Sequence, residues 1–107
     1  MKNKIPTPQQ IHTAKFYYCF FNAIPDEKWT QGIMRDRRND RYCAVGHLRK
    51  EKVNGKALSR LFYSFYGEGI MRINDTDKII NRWGVSQEKH AKTNILTALK
   101  NILDKAR

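Results

Sequence analysis

The amino-acid sequence predicts an all-α fold: a compact single-domain bundle of about five helices, with room for a short hairpin in the 29–41 region. Three observations carry this reading. Segments with a 3.6-residue apolar period recur along the chain, and most are bounded by N-cap residues, Gly or Pro. With 107 residues, the chain is long enough for one core but not two. A hydrophobic fraction of 40%, including twelve aromatics, suffices for that core and argues against disorder. Residues 1–107 therefore read as one helical domain, without repeats or low-complexity tracts.

Thr7-Pro8 is an N-cap followed by proline at the first helical position, so residues 9–23 can run as a helix that Pro25 stops. Ile11, Ala14, Phe16, Tyr17, Tyr18, Cys19, Phe20 and Phe21 place apolar groups on more than one side of it. It is expected to be the central, most buried element. Residues 29–40 lack periodicity, contain Gly32 and lead into a run of Arg, Asp and Asn ending at Arg41, which reads as an exposed loop or short strand pair. A second helix is expected from near Tyr42, with Ala44, Val45 and Leu48 inward, broken by Asn54-Gly55. Residues 56–66 form an amphipathic segment with Leu58, Leu61, Phe62 and Phe65 on one stripe, closed by Gly67 and Gly69. Residues 70–73 read as an extended link. Asn74, Asp75, Thr76 and Asp77 then offer N-caps for a short helix carrying Ile79, Ile80 and Trp83, ended by Gly84. Ser86 caps a final helix whose stripe is Ala91, Ile95, Ala98, Leu99, Ile102 and Leu103.

Charge is the feature most informative about function. Residues 28–60 hold ten Lys and Arg against three acids, and so carry +7 of the chain's formal +11. Such density opposes folding through self-repulsion and points to a polyanionic partner. A pI near 10 is consistent with this. The N-terminal residues contain no apolar h-region, so no secretory signal is expected. The longest apolar-rich run, residues 16–24, is interrupted by Asn22 and too short to span a bilayer, so no membrane partner is expected. Two isolated cysteines, Cys19 and Cys43, suit a reducing compartment and a cytoplasmic location.

The pattern Trp29-x-x-Gly32, Cys43-Ala-Val-Gly46-His-Leu48 and Ile73-Asn74-Asp75, followed by an amphipathic helix, resembles a family of small uncharacterised bacterial and phage helical proteins. There a Trp-x-x-Gly element precedes a Cys-Ala-x-Gly-Ala-Leu helix start and a later Asn-Asp pair. The resemblance covers roughly residues 24–103. His47 stands where the family has a small residue, and the insertions that often separate the motifs are lacking. The resemblance implies a helical fold and no particular activity.

Cys43 in the first turn of a helix, near Arg41, has the setting of a thiol with lowered pKa. His47 follows one turn later, and Asn74 or Asp75 has the chemistry to orient it, as in cysteine hydrolases. Against this, a Cys beside Ala and Val is usually a small buried hydrophobe, Gly46 usually marks the close approach of another helix, and an Asn-Asp pair usually caps. Packing and capping are the favoured reading, and no enzyme activity is expected. No metal site is expected either, because Cys19, Cys43, His12, His47 and His90 show no ligand spacing. His12 is expected on the surface and Cys19 buried. No glycine-rich phosphate cradle or other cofactor signature is present.

The candidate binding residues are Arg35, Arg37, Arg38 and Arg41 in the loop, then Arg49, Lys50, Lys52, Lys56 and Arg60 on two short helices. These nine cations are expected to form one continuous face. Tyr42 and Tyr63 lie near them in sequence and have the chemistry to stack on unpaired bases. A helix-turn-helix is disfavoured, because no base-reading polar run opens the second helix. The expected function is a small basic protein contacting RNA or a ribonucleoprotein; its most concrete form is a phage-encoded inhibitor of a host RNA-guided (CRISPR) nuclease. The alternative is a cysteine-dependent hydrolase or transferase using Cys43 with His47 or His90 as base.

Overall fold

The computed structural model describes residues 5–31, 33–75 and 91–106, which are mainly helical as expected. Helix α1 (Pro8–Asn22) starts with reciprocal caps: Gln10 N donates to Thr7 Oγ1 at 3.1 Å, and Thr7 N donates to Gln10 Oε1 at 2.9 Å. A 3₁₀ turn follows at Asp26–Lys28. Strands β1 (Arg35–Asp36) and β2 (Arg41–Tyr42) form the short antiparallel hairpin, with Arg35 opposite Tyr42 and Asp36 opposite Arg41. Helices α2 (Ala44–Lys50), α3 (Lys56–Tyr66), α4 (Ile70–Asp75) and α5 (Ala91–Asp104) complete the described elements. Gly67 ends α3 in the left-handed conformation (φ 68°), its N–H donating to Tyr63 O at 3.0 Å. None of these helices is long and apolar enough to cross a membrane.

The layering differs from expectation in two respects. First, α1 is not the most buried element. Only Ala14, Tyr17 and Phe21 are fully inside, while Phe16 is 53% exposed and Cys19 is also exposed. The reason is geometric: α3 and α5 meet α1 along the stripe that Ala14, Tyr17 and Phe21 define, so apolar residues off it face outward. The central role belongs to α5, which buries Ala91, Asn94, Ile95, Ala98, Leu99 and Ile102 against α1 and α4. Tyr66 reaches across from α3 to donate its hydroxyl to Ala98 O, and burial pushes that hydroxyl's pKa strongly up.

Second, residues 70–75 are helical rather than an extended link. Ile70 and Ile73 are three apart and both buried, and Ile73 N donates to Gly69 O at 3.2 Å. Asn74, which the sequence suggests as a cap for the following helix, instead lies inside α4 and is fully buried. The predicted helix carrying Ile79, Ile80 and Trp83, with Gly84 and Ser86 after it, lies outside the described residues, as do Gly32 and His90.

Asn74 is the polar centre of the fold. Its Oδ1 accepts from Ala44 N at 2.9 Å, which caps α2 from thirty residues away. Its Nδ2 donates to Thr30 O at 3.1 Å and to Asp75 Oδ1 at 2.6 Å. Its carbonyl, one of those a helix end leaves open, accepts from Gln31 Nε2 at 2.9 Å and Asn94 Nδ2 at 3.0 Å. One residue thus joins α2, α4, α5 and the strand-like segment after Trp29. Replacing Asn74 by Ala strands Ala44 N–H in the interior and takes away the donor to half-buried Thr30 O. The expected loss is about 3 kcal/mol, read as a fall in the urea midpoint with an unchanged m value.

Candidate nucleic-acid interface

The cationic region is presented by the hairpin and α2, so their local anchoring decides its shape. Cys43 is the N-cap of α2, one position before the first turn. Its backbone N–H donates to Met34 O at 3.0 Å and its Sγ accepts from Gly46 N at 3.4 Å. The thiol is fully buried and lies 3.3 Å from Met71 Sδ. Burial pushes its pKa up, outweighing the opposing N–H groups of Gly46 and Val45, so the lowering expected at a helix start does not occur. Gly46 does mark a close approach, but of the hairpin backbone rather than another helix. A Cβ there would lie 2.3 Å from Met34 O and 3.1 Å from Tyr42 Cβ.

His47 is buried between the rings of Trp29 (centroids 4.8 Å apart) and Tyr42 (5.3 Å). Its Nε2 lies 2.9 Å from Lys28 O. A carbonyl can only accept, so Nε2 carries the proton and the neutral tautomer is defined. Burial holds the imidazole pKa below its ordinary value, against the hydrogen bond to Lys28. The three residues that resemble a catalytic set therefore have structural work: Cys43 caps, His47 pins the 3₁₀ turn to α2, and Asn74 joins the layers. Among the described residues no three of His, Cys, Asp and Glu converge to hold a metal ion.

The predicted binding residues do not share one hollow. Arg35, Arg49 and Lys50 come together around a hollow of about 290 Å³ floored by Met34, Tyr42 and Gly46. Arg35 Cζ and Lys50 Nζ lie over the Tyr42 ring, 5.5 and 5.0 Å from its centroid. Tyr42 is itself buried and covered by these cations and His47, so it does not offer the free stacking surface expected of it. Arg37 and Arg38 are exposed on the hairpin turn. Arg41 pairs with Asp36 across the ladder and so points to the side away from Arg35 and Tyr42, where it lines a separate hollow with Asp26, Glu27 and Trp29. Lys56, Arg60 and Tyr63 line a third hollow, of about 520 Å³, on α3. Lys52 is exposed after α2 with a left-handed backbone (φ 58°) and lines none of the three.

Two of the three acids in this region, Asp36 and Asp40, are bonded to other groups, although Asp40 still feels the charges of Lys50 and Arg35. The Asp36 carboxylate accepts from Asn39 Nδ2 at 2.9 Å, Arg38 N at 3.2 Å and Asn39 N at 3.4 Å, which closes the hairpin turn and holds its pKa below the usual range. Asp40 pairs with Lys28 at 3.0 Å, and its pKa is lowered mainly by that bond. Among the described residues, none of the nine predicted cations is in a salt bridge with a carboxylate. Sequence reasoning missed Met34 as part of the floor and Asn74 as the anchor of α2. No sequence signal marks Asn74, because the burial of Ile70 and Ile73 that carries it inward is visible only in the folded structure. No protein-family model, curated protein or solved structure matches the chain.

Gly46→Ala is expected to force the hairpin off α2. The expected destabilisation is about 2 kcal/mol, a fall in Tm of roughly 10 °C by circular dichroism. His47 gives a pH dependence of defined sign. Because its folded pKa is lowered, the unfolded chain takes up the proton first on acidification. Stability is therefore full above about pH 6.5 and is lost as pH falls toward the folded pKa. Urea midpoints measured from pH 7.5 down to 5 should show the decline, and His47→Gln should flatten it.

Proposed function

We propose that the protein is a small basic binding module that engages RNA, free or within a ribonucleoprotein, through the hairpin and the last turn of α2. The observation that carries this reading is the set of cations Arg35, Arg49 and Lys50 around one hollow, with the neighbouring acids Asp36 and Asp40 bonded to other groups. Guanidinium forks suit phosphate oxygens, and the ring of Tyr42 holds Arg35 and Lys50 in place before a ligand arrives. Arg37 and Arg38 on the turn extend the cationic edge. The negative end of the α2 dipole favours Arg49 and Lys50 where they stand, so like charges are tolerated there.

Fluorescence anisotropy with labelled RNA across 50–200 mM salt is the direct test. Arg35→Glu with Arg49→Glu should weaken binding at least tenfold and reduce the salt slope by about 1.4, roughly 0.7 for each phosphate that is no longer neutralised. Lys100→Glu, exposed on α5, should change little. Equal affinity of the double variant and the parent would overturn the reading. Capture from a bacterial lysate with and without nuclease, with a purified RNA-guided nuclease complex as one bait, separates bare RNA from a ribonucleoprotein.

A further inference from the structure

We propose, resting on the reading above, that the outer face of α3 is a stacking platform that makes the protein bind single-stranded nucleic acid in preference to duplex. Helix α3 is strongly two-sided. Leu58, Leu61, Phe62 and Phe65 are buried, and Lys56, Ser59, Arg60 and Tyr63 follow the opposite stripe at i, i+3, i+4 and i+7. At the C-terminal end of this charged stripe stands an aromatic ring: Tyr63 is 57% exposed, whereas Tyr42 is 8% exposed. The two tyrosines that look equivalent in sequence have opposite roles. Tyr42 is the covered support of the phosphate-binding cations, and Tyr63 is an open surface.

The ring of Tyr63 is also positioned. Its hydroxyl lies 3.1 Å from where a Cβ on Gly69 would stand, and its nearest ring carbons 3.6 and 3.8 Å, so the tip of the side chain rests over that glycine. Lys56 and Arg60 precede it by two turns and one turn. Seven residues of helix span about 10 Å, close to the length of three stacked nucleotides. Lys56 and Arg60 hold consecutive phosphates and Ser59 offers a hydroxyl between them, while one unpaired base lies on Tyr63. A duplex keeps its base faces inside the stack, so only a single strand gains the aromatic contact. The cations around Tyr42 bind the phosphates of either form.

Binding of short labelled single strands of mixed sequence, one RNA and one DNA, is compared with that of the matched duplex. Tyr63→Ala should weaken single-strand binding by about five- to a hundredfold, keep the salt slope, and leave duplex binding at the parent level. Tyr63→Phe should bind as the parent does. The RNA and DNA arms show whether the sugar matters, and stacking predicts a Tyr63→Ala loss in both. Single-strand affinity unchanged by Tyr63→Ala, or a loss shared equally by the duplex, overturns the proposal. If Arg35→Glu with Arg49→Glu still weakens binding in that case, only the α3 platform falls. If the parent protein binds no nucleic acid at all, both readings fall together.

Discussion

The cationic side of the molecule depends on one buried carboxamide. Helix α2 has only seven residues, too few to persist without help, and its N-terminal N–H groups need acceptors. Cys43 serves Gly46 through sulfur, a weak acceptor. The stronger cap is Asn74 Oδ1 on Ala44 N, delivered from α4. The same side chain holds Thr30 O, and its backbone carbonyl collects Gln31 and Asn94. Because these bonds are buried, an alternative packing would leave several polar groups unsatisfied at once. That penalty selects a single placement of α2, and with it the placement of Arg49 and Lys50.

His47 performs the complementary task from the middle of α2. Its ring fills the space between Trp29 and Tyr42 while its N–H secures the 3₁₀ turn. An apolar side chain there would fill volume but leave Lys28 O without that donor. The chain thus uses two polar residues inside its core to orient a surface. Burial disfavours a charged imidazole at His47, and Lys50 adds to that while Glu51 and Asp40 oppose it.

The helices that can be read from sequence are those with a full amphipathic stripe and a stop signal, α3 and α5 above all. Helix α4 cannot be read this way. Six residues are too short for a period to declare itself, and it is helical because burying Ile70, Ile73 and Asn74 requires it. The rank of α1 is hidden for a related reason: the number of apolar residues in a helix does not say how many neighbours will meet them. In the candidate interface, the concentration of charge is legible and its division is not. Whether Arg41 joins Arg35 depends on hairpin register, where a shift of one residue reverses every side chain. The difference between Tyr42 and Tyr63 likewise exists only after the hairpin has folded onto α2.

The pairing of α1 with α5 joins segments at opposite ends of the described chain. Contacts of such long sequence separation slow folding relative to bundles built from neighbouring helices. During synthesis, Ala14, Tyr17 and Phe21 leave the ribosome well before their partners on α5. At ordinary elongation rates the interval is roughly 4–16 s. Throughout it the nascent chain displays an aromatic stripe without its main cover, a natural target for a holding chaperone. The cationic hairpin is also synthesised before α4 and α5 can anchor α2. A nascent chain would therefore meet the nearby ribosomal RNA with its positive charge present and its binding geometry not yet assembled.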